Sequence, residues 1–241
     1  MMPAIEPTGG LSAACGASDA GAQSAAQVRL SLSEINALCF KAARGSGLSW
    51  GEAEEAGWAS AWLSRAGFAG PRILLQRLQH ASRLEYPQIA AGRWRSPEGP
   101  LCPLRSGMAL ADHAGLADGP GDAAFCMEAV CHPLLVLPFA ARVARHRVQP
   151  LRIGWTGAGV TVWADQAFPD AEPVRDHAEK PVDLGLEFAP GLRLRAPDLA
   201  RPTGSVGPDD WAALSALSMR VTVPPSELSR AGAGATRGDN D

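Results

Sequence analysis

Apolar positions along the chain recur first at helical spacing, then in strand-like runs, and at the end at helical spacing again. In VRLSLSEINALCFKAARGSG, Ser31 and Glu34 stand in capping-box spacing, serine then glutamate three residues on. Ile35, Leu38, Cys39 and Ala42 follow at i, i+3, i+4 and i+7, one face of a helix that Gly45 or Gly47 stops. A second helix is predicted from about Trp50 or Glu52 to Arg65, capped by Ser49, with Glu52, Glu54 and Glu55 in its first turns. Ala53, Ala56, Gly57, Ser60 and Ala61 make much of its surface small, so a partner backbone can approach it. Trp58 and Trp62 share one stripe at i, i+4. A third helix is predicted from Pro71 to about Ser82, proline fitting the first turn.

Beyond Tyr86 the period fails. Pro87, Pro97, Pro100, Pro103 and Pro120 punctuate a loop, with one short helix around Met108 to Ala114. Then come strand-like runs. Ala124 to Phe139 is long, apolar and split by prolines. Arg142 to Ile153 alternates apolar and basic residues, as an exposed sheet face does. Gly154 to Asp165 offers a glycine turn and the β-formers Val160, Thr161, Val162 and Trp163. Weaker strands are read at Val182–Phe188 and Leu192–Arg195, and a last helix from about Pro208 to Arg220.

Composition adjusts this picture in a few places. The 241 residues carry 22 Lys+Arg against 25 Asp+Glu, a balance that speaks against nucleic-acid binding. No run approaches the roughly 18 apolar residues of a membrane span. Only Lys41 and Lys180 are lysines, the arginine bias of GC-rich coding, which weakens arguments from any single arginine. Five cysteines, an odd number with no CxxC, suit a reducing compartment, and a cytoplasmic location is expected. Residues 1–27 are Ala/Gly/Ser-rich without a period and read as a disordered leader. The rest, 28–241, reads as one α+β domain: a helical unit at 28–85, a loop and sheet part at 86–204, a helix at 205–222 and a tail at 223–241.

Three places could carry chemistry. Extended to His132, a strand would put Cys126, Glu128, Val130 and His132 on one face. Glu128 and His132 would then lie about 13 Å apart, too far for one metal ion, and no metal site is expected. The basic run Arg142, Arg145, His146, Arg147 and Arg152, read as a strand, could hold an anion, although a solvated face explains it as well. The tail is the third. Ser226, Ser229 and Arg230 precede a Gly-Ala-Gly turn, and the chain stops on Asp239, Asn240 and Asp241. Such turns make anion-binding nests, and the two aspartates with the terminal carboxylate and the Asn240 amide could instead hold a hard cation. The GxSxG string at Gly47–Gly51 lacks the preceding strand that a nucleophile elbow needs, so Ser49 reads as a helix cap. GxGxxG, GxxxxGK[ST] and HExxH are absent.

Leu30 to Gly70 and the ending Val223 to Asp241 resemble a bacterial family catalogued only as a domain of unknown function. That resemblance implies an ordered, specified tail and no activity. The helical opening is also similar to the start of the malate/L-lactate dehydrogenases that lack a Rossmann domain. Their Ser-His-Gly motif is replaced here by Gly70-Pro71-Arg72, and the next histidine is His80.

The resulting expectation is an α+β fold, an N-terminal helical unit on a mainly antiparallel sheet with a C-terminal helix and an ordered Gly-rich tail. Its function would be that of an enzyme or binding protein for a small polar or anionic metabolite, with a site near the tail. Arg230, Ser226, Ser229, Asp239, Asn240, Asp241, Glu128 and His132 are its candidate residues. The alternative is an accessory subunit that binds a partner protein through its tryptophan-bearing helices. Neither nucleic acid nor membrane is an expected partner, a homo-oligomer stays open, and no cofactor is indicated.

Overall fold

The structure, a computed structural model, describes residues 27–80, 83–170, 174, 180–192, 194 and 203–221. Residues 1–26 of the leader, the whole tail and half of the weak strand read at Leu192–Arg195 lie outside the described residues. A short strand β1 (Val28–Ser31) leads into α1 (Leu32–Gly45), followed by α2 (Trp50–Arg65) and α3 (Gly70–Leu78). Both predicted capping boxes form. The Ser31 and Ser49 hydroxyls accept from the amides of Glu34 and Glu52, and those glutamates accept from the serine amides. The small face of α2 does admit a neighbour's backbone: a methyl group on Gly57 would lie 2.8 Å from the Asn36 carbonyl oxygen of α1.

The chain then runs through β2 (Arg93–Trp94), α4 (Pro103–Asp112) and β3 (Phe125–Val130) to a 3-10 turn at Pro133–Val136. From that turn it passes directly into α5 (Leu137–Arg147). The meander β4 (Leu151–Trp155), β5 (Ala158–Trp163) and β6 (Gln166–Pro169) is followed by β7 (Val182–Phe188), β8 (Thr203–Val206) and α6 (Pro208–Met219). Six strands form one sheet in the order β2-β3-β7-β4-β5-β6, antiparallel except for the β2–β3 pair. A separate antiparallel ribbon joins β1 to β8, Val28 opposite Val206.

Strand alternation decides what the sheet buries. Leu151, Ile153, Val160, Val162, Leu184 and Leu186 turn to one face and are buried, whereas Arg152, Asp183 and Glu187 turn away. Helix α5 lies against β4 and β5, α4 packs on α5, and α2 packs against both helices, so the helical unit reaches the sheet through α5. No described helix is long and apolar enough to cross a membrane.

Three expectations need correction. Arg142 to Arg147 form the end of helix α5 and only Arg152 lies on a strand, so the basic run shares no sheet face. Prolines explain the misreading. Pro133 and Pro138 sit in the first turns of the 3-10 turn and of α5, where no amide donor is missed. They start helical turns here instead of breaking a strand. Likewise α4 begins at Pro103, earlier than the predicted Met108. Finally, the Cys126–His132 face does not exist. The β3–β7 register shifts between Met127 and Val130, Ala129 takes a φ of 52°, and the strand ends before His132.

Candidate functional site

Of the predicted site residues, Glu128 and His132 are described, and they part company. Glu128 pairs with Arg93 at 2.7 Å on the adjoining strand. His132 is buried, on the far side of the bulge. Ser226, Ser229, Arg230, Asp239, Asn240 and Asp241 lie outside the described residues. The four arginines of the basic run each face a carboxylate: Arg142 pairs with Glu55, Arg147 with Asp122 and Arg152 with Asp170, and Arg145 lies 3.9 Å from Asp165. Arg142 also stacks on Trp58, its guanidinium 3.5 Å from the ring centre.

What His132 does meet is a cluster that the sequence spacing hides. Helix α3 ends at Leu78 and carries Arg77 in its last turn, with His80 two residues beyond the helix. Strand β3 ends against Leu101, which bridges Val130 in parallel; the Leu101 amide donates to Ala129 and its carbonyl accepts from Cys131. Residues 102 and 131 thus follow a paired position on adjacent extended segments. Cys102 occupies the N-cap position of α4 without a side-chain capping bond. Three chain segments converge as a result, bringing Arg77, His80, Cys102, Cys131 and His132 together.

The geometry is specific. Arg77 donates from Nη2 to the Cys102 sulfur at 3.3 Å, and its buried Nε has no hydrogen-bond partner among the described residues. The His80 ring addresses two neighbours at once. Its Nε2 lies 4.0 Å from Cys131 Sγ, and its Nδ1 lies 3.4 Å from His132 Nε2. The two imidazoles meet edge to face, ring centres 5.4 Å apart.

Consecutive residues of an extended chain point to opposite sides, yet Cys131 and His132 both reach His80. The backbone achieves this by placing His132 in the left-handed region, φ 48° and ψ 60°, immediately before Pro133. A buried, β-substituted residue held there stores strain of about 1 kcal/mol or more, and such strain concentrates at functional sites.

Electrostatics set the resting protonation. Burial lowers the His80 pKa, and the neighbouring His132 and Arg77 add to that, so its imidazole is neutral at neutral pH. Burial raises the Cys131 pKa; Arg77 works against this and Cys102 with it. The resting pair is therefore a thiol beside a neutral base. Among the described residues no three His, Cys, Asp or Glu side chains are placed so that they could hold one metal ion.

Two other features are less complete. A cleft of about 720 Å³ between the β1–β8 ribbon, α3 and α6 is lined by Arg29, Arg72 and Asp210, without a histidine or cysteine. His113 pairs with Asp118 at 2.8 Å, and the Asp118 carbonyl accepts from the Trp94 indole at 2.9 Å, a stitch between loop and core.

Sequence reasoning met His80 only as the first histidine after a missing motif and did not join it to His132, 52 residues away. Two signals were available. Cys131–His132–Pro133 places chemistry at the end of a strand, and Arg77 with His80 places it at the end of a helix.

No curated protein matches the chain. Among solved structures, malate dehydrogenase from Entamoeba histolytica is similar, at 11% identity and a TM-score of 0.42, over 63% of this chain and 51% of that one. The chain thus spans about half the length of that enzyme. Residues 30–112, α1 through α4 with Arg77, His80 and Cys102, match the family described as "Protein of unknown function (DUF3726)", in keeping with the resemblance read from Leu30 to Gly70.

Proposed function

We propose that the protein binds and acts on a small anionic metabolite at the Arg77–His80–Cys102–Cys131–His132 cluster. The observation that carries this reading is Arg77. Its guanidinium is anchored on one side by Cys102, while its Nε is withdrawn from water with no partner among the described residues. A buried donor on a cation is costly to leave unmade, and a carboxylate or phosphate oxygen is its natural acceptor. The two histidines and Cys131 beside it supply groups that can move a proton.

A thermal-shift series with small carboxylates and phosphates tests this. At least one acid should raise the melting temperature of the full chain, and Arg77→Met should abolish the rise. No response in the wild type, or an equal response in Arg77→Met, would overturn the reading.

One observation favours the accessory-subunit reading as well. Trp50 is 62% exposed, edge-on to Phe40 at 5.2 Å. It is a surface anchor of the kind protein partners use. Retention of a partner protein that Trp50→Ala releases would support that role; a wild-type chain that co-purifies with nothing would count against it.

A further inference from the structure

We infer that Cys131, His80 and His132 form a relay of nucleophile, base and orienting group that takes an activated acyl group, an ester or thioester of a small carboxylic acid, onto the Cys131 sulfur. The placement of the acid's charge on Arg77 rests on the function proposed above; the relay itself does not.

Connectivity among the three side chains carries the relay. A nucleophilic thiol needs a base in reach, and the base needs a third group to fix its tautomer and plane. His80 is in the middle of such a chain. Its Nε2 faces the Cys131 sulfur at 4.0 Å and its Nδ1 faces His132 Nε2 at 3.4 Å. With the ring proton on Nδ1, donated toward His132, Nε2 is free to receive the thiol proton. Both contacts are long, as catalytic hydrogen bonds often are before substrate tightens them. The left-handed backbone at His132 is what lets residues 131 and 132 share one imidazole.

The chemistry balances on these groups. As sulfur attacks the acyl carbon, the Cys131 proton passes to His80 Nε2, the S–C bond forms and the carbonyl π pair moves to oxygen. Collapse expels the alkoxide or thiolate, which takes the proton from His80 Nε2. A thioester on Cys131 remains. Water then attacks it, giving its proton to His80; the S–C bond breaks, and the sulfur recovers that proton as the acid leaves. Cys131 and His80 are the catalytic residues, and His132 is a positioning residue.

The test uses p-nitrophenyl acetate on the full chain, small enough for a buried thiol. We expect a burst of one p-nitrophenolate per chain and one acetyl group, mapped by peptide mass spectrometry to Cys131. His80→Ala should slow the burst by about 100-fold or more, the usual contribution of a general base. If that variant does not fold, His80→Asn serves the same purpose with a smaller change of shape. His132→Gln should slow the burst and move its pH midpoint upward, because His132 helps hold the His80 pKa down. Arg77 and Cys131, which also face His80, are unchanged in that variant, and a purely structural role for His132 would leave the midpoint where it is. Absence of a burst, acetyl on any other residue, or a folded His80 variant with the wild-type burst rate would overturn the relay. Anion stabilisation without a burst would leave the binding site standing and remove the relay. A burst without anion stabilisation would do the reverse.

Discussion

Gly107 of α4 lies directly against the ring of Phe139 of α5, so close that a methyl group on Gly107 would overlap the ring's Cδ2, Cγ and Cε2 atoms. Phe139 is itself fully buried and packs edge-on to Trp58 at 5.5 Å, so the ring has nowhere to retreat. This contact sets how closely α4 and α5 approach. Gly107→Ala should therefore destabilise the fold by roughly 1–3 kcal/mol, the usual range for overpacking. Gly51 of α2 is the control. A methyl group there meets nothing within 4 Å, and Gly51→Ala should be neutral or stabilising by a few tenths of a kcal/mol or more. Urea unfolding of both variants checks this, and equal midpoints would count against the account.

Val148 ends α5 with a φ of 53°, a left-handed conformation that a β-branched residue adopts only under strain. Its side chain is 75% exposed, so little packing is lost on removing it. Val148→Gly should raise stability by about 1 kcal/mol, the relief at a left-handed helix cap less glycine's added freedom when unfolded. A thermal melt decides the sign, and a lower melting temperature would refute the strain argument.

Glu52 joins two parts of the molecule. It completes the cap of α2 and accepts from Arg105 of α4 at 2.7 Å. Burial works to raise its pKa, but the bonds from Arg105 and from Ser49 prevail and hold it at about 2, against an ordinary 4.5. The unfolded chain thus binds the proton more readily, and acid draws the protein toward it. The carboxylate's contribution is whole above about pH 4.5 and fades as pH falls toward 2. Glu52→Gln should cost about 2 kcal/mol at neutral pH, the scale of a charge-assisted hydrogen bond. Its deficit relative to wild type should shrink through that acid window. A deficit that stays constant from pH 6 to pH 2.5 would contradict this.

Trp62 is 5% exposed inside the single chain. Its indole Nε1 is buried and has no partner among the described residues. Trp62→Ala should cost roughly 3–5 kcal/mol through the cavity it leaves. Trp62→Phe, which removes the orphaned donor and keeps most of the volume, should cost much less. Similar losses in the two variants, measured by denaturant unfolding, would mean that the indole nitrogen is satisfied after all.

Local signals explain which parts of the fold were legible. Ser31–Glu34 and Ser49–Glu52 announce α1 and α2 because a capping box is written within four residues. Strand β7 was legible because Leu184, Leu186 and Phe188 alternate with Asp183, Gly185 and Glu187. Helix α5 was not, since proline has two meanings. Pro138 can end a strand or open a helix, and the choice depends on whether the following apolar residues find a surface at helical spacing, which is tertiary information. The candidate site was half legible for the same reason. His132 could be named from its neighbours in sequence, but its partner His80 is delivered by α3, and no local rule joins the two. Glu128 was grouped with His132 on a period of two that the bulge at Ala129 interrupts.

The ribbon between β1 and β8 has a bearing on how the molecule comes into being. Val28 lies at the start of the described chain and Val206 just before the last described helix, yet they are register partners in one ribbon, and α6 packs on α1 with Gly45 against the Leu217 carbonyl. During synthesis, the first helices must wait for the whole sheet to be made before one flank is covered. Closing so long a loop is slow, and until it closes the uncovered flank is open to misassociation. Chains halted near residue 200 should bind a chaperone or be clipped by protease within α1, while the finished chain resists both. Equal resistance at the two lengths would show that the early helices stand without their last neighbour.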